Sequence, residues 1–268
     1  MKRVMYIITT LIIIYGIVLG FFYFSQSSML FFPQQIGHQK TYDNTEEVRI
    51  ETSNGNQLHG WLCKSDSGKD TLTNLIIYFG GNAEEVSHLI PAISSRLNGW
   101  SVLVINYPGY GLSKGKPSEK SFFNAALAIY DYADSRKDIC SNNIVLLGRS
   151  IGTGCASYLA ANREVKGVVL VSPFESMKSV AQSKLPYIPV SLLLKHQFDS
   201  NKYAQEIDAS MLAFFGTADD LVPPIHAKRL AKSWKGDVTL IQLEGYNHNN
   251  ILESEKLWSE MIAFLDKL

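Results

Sequence analysis

The chain has few cysteines and no excess of charge. The three cysteines, Cys63, Cys140 and Cys155, form no C-x-x-C pair and no metal-like spacing with histidine. We therefore expect no metal centre and no disulfide framework, although a single bridge between Cys63 and Cys140 stays open. Cys155 lies in an apolar helical run and is expected to be a small buried side chain. Since 25 Lys and Arg residues balance 25 Asp and Glu residues, nothing in the charge points to a nucleic-acid partner.

The N-terminus carries the one long apolar run. Residues 4–24 contain no charged side chain, and as a helix they would measure about 31 Å, close to the thickness of the hydrocarbon core of a bilayer. Tyr6 and Tyr23 lie near the two ends, where aromatic side chains favour the membrane interface. The run therefore predicts a single-pass membrane anchor over residues 1–28.

The alternative to an anchor is a cleaved signal peptide, whose apolar region is normally shorter and is followed by small residues. Here the run ends in Phe-Phe-Tyr-Phe, which favours an uncleaved anchor. Lys2 and Arg3 precede the run, and the next Lys or Arg is Lys40. The positive-inside rule then predicts a cytoplasmic N-terminus and a main domain on the non-cytoplasmic side, periplasmic or lumenal.

Strand and helix patterns alternate through the rest of the chain, with no repeat or low-complexity tract. A hairpin is predicted for residues 47–52 and 57–64, around an Asn-Gly turn. Strands are predicted at residues 74–79, 101–106, 143–147, 167–172, 211–215 and 238–243, and helices at 84–97, 118–136 (with Ser118 as N-cap), 151–162 and 254–268. This order indicates an α/β fold with a mostly parallel central sheet and helices on both faces. The alternation stops at residues 173–208, where we expect a small helical lid.

The motif G-x-S-x-G occurs twice, around Ser113 and around Ser150. A nucleophilic serine in this motif needs a strand before it and a helix after it, so that its hydroxyl is exposed at the end of the strand. Ser150 follows NIVLLG and precedes IGTGCASYLAAN, whereas Ser113 lies in a loop rich in glycine and proline. We therefore assign Ser150 as the nucleophile and expect Ser113 to be a polar loop residue.

A serine nucleophile on this framework is followed along the chain by an acid and then by a histidine. Three histidines follow Ser150: His196, His226 and His248. His248 comes just after the last predicted strand and is expected to be the general base, while His226 falls in a helical pattern and is expected on a helix surface. Asp219 and Asp220 follow the preceding strand. The pattern cannot separate these two carboxylates firmly, although Asp219 is nearer to the strand end.

Acyl transfer also needs two backbone N–H groups directed at the developing oxyanion. One is expected from Ile151, the residue after the nucleophile. The second is expected from Asn82, in the Gly-Gly-Asn-Ala loop that follows the first buried strand. A plain glycine-rich turn is the alternative for this loop.

With these residues placed, the chain resembles the membrane-anchored serine hydrolases of the α/β-hydrolase-domain family, a group that includes protein depalmitoylases. The segments that carry the resemblance are Leu30-Phe31-Phe32-Pro33 after the anchor, YFGGNAEE, NYPGYGLSKGKPSE, LLGRSIGTG, SPFESMKSVA, GTADDLVP and GYNHNN. The resemblance implies the α/β-hydrolase fold and a triad of Ser150, Asp219 and His248, since the family acid precedes x-x-Val-Pro. One departure is Gly80, because the family usually has histidine before Gly81.

These features predict hydrolysis of carboxylic esters or thioesters, of lipophilic acyl groups, through an acyl-enzyme on Ser150. The catalytic domain is expected over residues 29–268, and the reaction calls for no cofactor. A peptidase or amidase of the same fold is the second interpretation. A non-catalytic binding module is the third, and the intact triad residues argue against it.

Overall fold

The computed structural model describes residues 1–36, 41–65, 72–97 and 99–268. Its centre is one eight-stranded sheet with the strand order β1-β2-β4-β3-β5-β6-β7-β8. The strands are β1 (Thr45–Glu51), β2 (Gln57–Cys63), β3 (Thr73–Phe79), β4 (Trp100–Ile105), β5 (Ile139–Arg149), β6 (Gly167–Val171), β7 (Ser210–Gly216) and β8 (Val238–Leu243). β1 and β2 form the expected antiparallel hairpin, and β2 also pairs antiparallel with β4. All other pairings are parallel, as predicted.

The chain forms helices on both faces of the sheet and one N-terminal helix whose side chains mostly face outward. They are α1 (Lys2–Leu30), α2 (Ile90–Arg96), α3 (Glu119–Asp134), α4 (Ile151–Ala160), α5 (Met177–Lys184), α6 (Val190–Leu193), α7 (Ser200–Ala204), α8 (Pro224–Ser233) and α9 (Glu255–Leu265). One apolar core packs β-strand side chains against α3, α4 and α8, and a second core packs the opposite face against α2 and α9. The fold class expected from the sequence is therefore confirmed.

Two helix starts show how local hydrogen bonds set element boundaries. Ser118 caps α3 through a reciprocal capping box with Ser121, as its position before an amphipathic run predicts. The helix expected from residue 84 is different: a short 3-10 turn, Val86–Leu89, comes first, and α2 begins only at Ile90. The side chain of Glu85 accepts the N–H of Ser87 and thereby caps that turn.

The segment between β6 and β7 forms the helical insertion predicted for residues 173–208, which we call the lid. It contains α5, α6 and α7, and the side chains of Ser176 and Asp199 cap α5 and α7. The C-terminal part of the lid is joined to the start of α3. The carboxylate of Glu119 accepts the backbone N–H groups of Gln197 (2.8 Å) and Phe198 (2.9 Å).

Helix α1 is long and apolar enough to cross a membrane, a test that a signal sequence would also pass. Most of its side chains face outward, but its C-terminal end contacts the domain. Phe31, directly after the helix, is buried against Phe122 with ring centroids 5.2 Å apart. The chain therefore passes from the helix into the core without a linker.

All three cysteines are free, so the bridge that the sequence left open between Cys63 and Cys140 is absent. Cys155 is fully buried, as expected. Burial raises the pKa of the Cys63 thiol and of the Cys155 thiol to about 12.

Candidate active site

Ser150 lies at the sharp turn between β5 and α4, where the sequence places it. Its backbone has φ 52°, a left-handed conformation that a serine adopts only under strain. The flanking glycines permit close chain approach, because a Cβ on Gly152 would lie 2.1 Å from the carbonyl oxygen of Phe79. The N–H of Ser150 donates to the carbonyl of Val171 on β6 (2.9 Å), which ties the turn to the sheet.

Two hydrogen bonds join Ser150, His248 and Asp219 into one hydrogen-bonded chain of side chains, which we call the line. His248 Nε2 lies 2.9 Å from Ser150 Oγ, and His248 Nδ1 lies 2.8 Å from Asp219 Oδ2. Asp219 is 2% exposed and His248 is 9% exposed, so this line is largely shielded from water. The three side chains come from the ends of β5, β7 and β8, which meet at one edge of the sheet.

The environment of Asp219 keeps its carboxylate ionised. Burial alone would raise its pKa, but hydrogen bonds from His248 and from the N–H of Val222 (2.7 Å) outweigh burial, and the pKa lies below its ordinary value. A second N–H, from Leu221, donates to the same oxygen at 3.0 Å. Asp220 has an exposed side chain. The geometry thus joins Asp219, and not Asp220, to the histidine.

The loop after β3 provides the second wall of the site. The N–H of Gly81 donates to Glu84 Oε2 at 2.7 Å. The backbone N–H groups of Asn82 and Ile151, in contrast, have no hydrogen-bond acceptor among the described residues. The side chain of Asn82 holds the loop against the end of α1: it donates to the Leu30 carbonyl and accepts the Phe32 N–H at 3.2 Å.

A partly buried ion pair beside the loop was missed by sequence reasoning. Arg149, the variable residue before the serine in G-x-S-x-G, contacts Glu84 at 3.1 Å and also donates to the carbonyl of His248 at 3.2 Å. Glu84 Oε1 accepts the hydroxyl of Tyr78 at 2.7 Å. The pair therefore connects the loop of Asn82 with the loop of His248. Only the motif YFGGNAEE hinted at Glu84, and no local pattern pointed to its partner.

Ser150 opens into a cavity of about 450 Å³. Its floor is formed by Ser150, Ile151, Asn82 and His248, and its upper wall is mostly apolar. The apolar side chains come from the lid, from the end of α1 and from the loop after β7, namely Phe174, Met177, Val180, Met29, Leu30, Phe32, Leu221 and Val222. The volume falls within the range of small-molecule binding sites.

The two rejected candidates have structural roles of their own. Ser113 is buried in a loop, where its hydroxyl donates to the Asn106 carbonyl and accepts the His59 N–H, each at 2.8 Å. The expectation that His226 lies on a helix surface was wrong. His226 is 1% exposed, because α8 turns it toward the lid, and its Nδ1 lies 2.8 Å from the buried carboxylate of Glu175.

Comparison with known proteins agrees with this architecture. A family model described as the alpha/beta hydrolase fold matches residues 75–190. The uncharacterized protein Rv2307c of Mycobacterium tuberculosis is 30% identical over 205 residues, which are 76% of this chain and 72% of that protein. The alpha/beta hydrolase domain-containing protein WAV2 of Arabidopsis thaliana is 25% identical over 272 residues, covering 90% of this chain and 88% of WAV2. The solved structure of the Pyrococcus furiosus esterase Pf2001 has a TM-score of 0.70 at 17% identity, covering 89% of this chain and 98% of that chain.

Proposed function

The chain belongs to the alpha/beta hydrolase family, and on that premise we propose that it is a serine hydrolase that cleaves carboxylic esters or thioesters. The observation that carries the proposal is the hydrogen-bonded line of Ser150, His248 and Asp219. Such a line activates a hydroxyl that is otherwise a weak nucleophile.

In the proposed reaction, His248 Nε2 takes the proton of Ser150 as the oxygen attacks the acyl carbon. Asp219 fixes the tautomer of the imidazole and stabilises the imidazolium that forms. The N–H groups of Ile151 and Asn82 then donate to the oxyanion, which suits their lack of another partner in the described structure. His248 returns the proton to the leaving alcohol or thiol, and an acyl-enzyme remains on Ser150. A water molecule activated by His248 attacks that acyl-enzyme and releases the acid.

We propose that the acyl group is lipophilic. The cavity over Ser150 is lined above the catalytic groups by apolar side chains of the lid and of α1.

The esterase Pf2001, whose fold is similar, carries ester hydrolysis in its name. Ester chemistry fits the site because the triad and the two N–H groups are all that acyl transfer to water requires.

We propose also that α1 is an uncleaved anchor that holds the domain at a membrane, with the N-terminus cytoplasmic. An intact anchor agrees with the contacts of its C-terminal end, where Leu30 and Phe31 pack against the domain. Protease protection of the full chain in sealed vesicles tests the orientation: a domain digested from the cytoplasmic side would refute it.

A fluorophosphonate probe tests the enzymatic proposal. We expect the probe to label the full-length protein at Ser150, identified by peptide mass mapping, and we expect no labelling of Ser150→Ala. Ser113→Ala is the matched control, because it changes the other G-x-S-x-G motif and should keep the label. Absence of labelling in folded wild-type protein would exclude the proposal, and turnover of peptides without turnover of esters or thioesters would favour an amidase.

A further inference from the structure

The lid contains an uncharged segment with a lysine at each end. Residues 185–194 read LPYIPVSLLL, and Lys184 and Lys195 flank them. The Nζ of Lys195 lies 3.8 Å from the ring centre of Tyr23 on α1. Lysines and tyrosines in such positions are typical of a membrane interface, because their apolar stems can lie in lipid while their polar ends reach water.

This uncharged segment runs along the anchor helix. Gln26 Nε2 donates to the Leu193 carbonyl at 3.0 Å, and the hydroxyl of Tyr15 donates to the Tyr187 carbonyl at 2.8 Å. Since Tyr15 and Gln26 are eleven positions apart, the contacts extend over about 16 Å of helix. Tyr15 lies near the middle of the uncharged run over residues 4–24. If α1 crosses a bilayer, the segment around Tyr187 lies at the depth of the hydrocarbon core.

The exposed side chains of the segment suit lipid better than water. Tyr187 is 87% exposed and Leu192 is 82% exposed, although the backbone of Tyr187 contacts Tyr15 of α1. Large apolar side chains that stand this far out of a soluble domain mark a surface that contacts another apolar phase. Here that phase is the bilayer that already surrounds the anchor.

Most backbone carbonyls of the segment also have a hydrogen-bond donor within the protein. Non-helical backbone is tolerated in a membrane only where its polar groups find partners within the protein. Pro186 and Pro189 have no N–H to satisfy, and Gln182 Nε2 donates to the carbonyls of Leu185 and Ile188. In total, hydrogen bonds reach the carbonyls of Leu185, Pro186, Tyr187, Ile188, Pro189, Val190 and Leu193.

Between the segment and α1 lies an apolar cleft of about 190 Å³. Phe22 and Met29 line it from the anchor, and Ala181, Leu185 and Leu194 line it from the lid. The cleft adjoins the cavity over Ser150, since Met29, Leu30 and Met177 line both. The cleft beside the anchor and the cavity over the nucleophile therefore share an apolar wall.

We infer that the lid segment 185–194 is embedded in the bilayer beside α1, and that the acyl chain of a membrane-resident substrate reaches Ser150 through the cleft between them. The inference rests on the proposed function and names its substrate class: esters or thioesters whose acyl chain lies in the membrane. The carbonyl carbon would lie at Ser150 while the chain extends between the anchor and the lid. The anchor is then one wall of the substrate site.

Immersion of the lid is tested by fluorescence of the full chain in lipid nanodiscs. Tyr187→Trp places an indole on the exposed part of the segment beside Tyr15, and lipids brominated on their acyl chains quench only indoles at hydrocarbon depth. We expect the added emission to fall by at least half. Lys137→Trp is the control, because Lys137 is exposed between α3 and β5 and should be unaffected. Equal emission of Tyr187→Trp in brominated and plain lipid would overturn the inference.

The cleft is tested by acyl-chain length. With p-nitrophenyl esters, burial of each added methylene in the cleft should raise kcat/KM by about fourfold, the fold-change that ~0.8 kcal/mol per methylene corresponds to. Ala181→Phe fills the cleft and should lower the octanoate-to-acetate ratio of kcat/KM by about tenfold or more. Ser183→Phe, on the exposed side of the same helix, should leave the ratio unchanged. Met29→Trp fills the cleft from the anchor side and repeats the test if Ala181→Phe does not fold.

Rates are normalised to the number of Ser150 sites that a fluorophosphonate probe titrates. This normalisation distinguishes a failure of the acyl path from a failure of the proposed function. Normal titration with an unchanged ratio in both cleft variants would overturn the acyl path and leave the proposed hydrolase intact. A wild-type protein that neither titrates nor turns over any ester would instead refute the proposed function.

Discussion

Replacement of Glu84 by glutamine should slow acyl transfer with little effect on substrate binding. The carboxylate of Glu84 accepts three hydrogen bonds: from the Gly81 N–H (2.7 Å), the Tyr78 hydroxyl (2.7 Å) and Arg149 (3.1 Å). Glutamine has nearly the same size, but without the charge its single oxygen holds the Gly81 N–H and Arg149 less firmly, and its amide nitrogen replaces the oxygen that accepts from Tyr78. The bond to Gly81 sets the conformation of the loop that carries Asn82. The variant should therefore misplace one oxyanion donor and leave the apolar cavity unchanged.

Two known energies bound the transition-state stabilisation that Glu84→Gln should lose. Complete loss of an oxyanion donor costs about 2.7–4 kcal/mol of transition-state stabilisation, and a hydrogen bond to a charged group contributes about 1.5–3 kcal/mol. Because the variant loosens the Asn82 N–H without deleting it, we expect a cost of about 1.4–2.8 kcal/mol. This corresponds to a fall in kcat of about 10- to 100-fold.

The assay is steady-state hydrolysis of a p-nitrophenyl ester, with kcat and KM determined separately. Affinity for a boronic acid that mimics the tetrahedral intermediate should fall in parallel with kcat, which a loss of folding stability alone would not cause. Tyr78→Phe is the matched control, because it removes one partner of Glu84 and keeps the bond to Gly81; its kcat should fall less than about fivefold. Wild-type kcat in Glu84→Gln would refute the role assigned to this carboxylate.

Other outcomes follow from single residues. Asp219→Asn should lower kcat by about 10⁴-fold, and Asp220→Asn should keep the rate within about twofold in the same ester assay. In native protein at pH 8, Cys63 and Cys155 should resist iodoacetamide, as mass mapping can show, because burial raises each thiol pKa to about 12. Burial lowers the pKa of His59 below its ordinary value of 6.5. The unfolded chain therefore binds that proton more readily, and stability present above pH 6.5 is lost as the pH falls. Urea unfolding between pH 8 and pH 5 should show a smaller loss for His59→Gln than for wild type.

The sequence predicted those parts of the fold and site that depend on order along the chain. The strand before Ser150 and the helix after it distinguished it from Ser113. The sequence order of strands placed Asp219 and His248 at loops that the structure brings to one edge. These signals are local, since each needs only a strand or helix pattern and the residues next to it. Their catalytic roles stay predictions until the serine is labelled.

What the sequence could not predict depends on contacts between distant segments. Arg149 and Glu84 are 65 positions apart and meet only because β3 and β5 are neighbours in the sheet. His226 looked like a surface residue because periodicity within α8 does not show that Glu175 of the lid covers it. The pairing of the lid with α1 was hidden for the same reason.

Asn82 is hydrogen-bonded to the backbone of Leu30 and Phe32. These bonds limit how the N-terminal helix of such a protein can be exchanged or trimmed. Membrane anchors are usually treated as modular parts that can be exchanged or trimmed at a boundary. Here the last turn of α1, the proposed anchor, braces the loop that is proposed to hold the oxyanion. A transplanted helix that ended one residue early or late would shift this brace, so α1 and the domain that follows it would have to be exchanged as one unit.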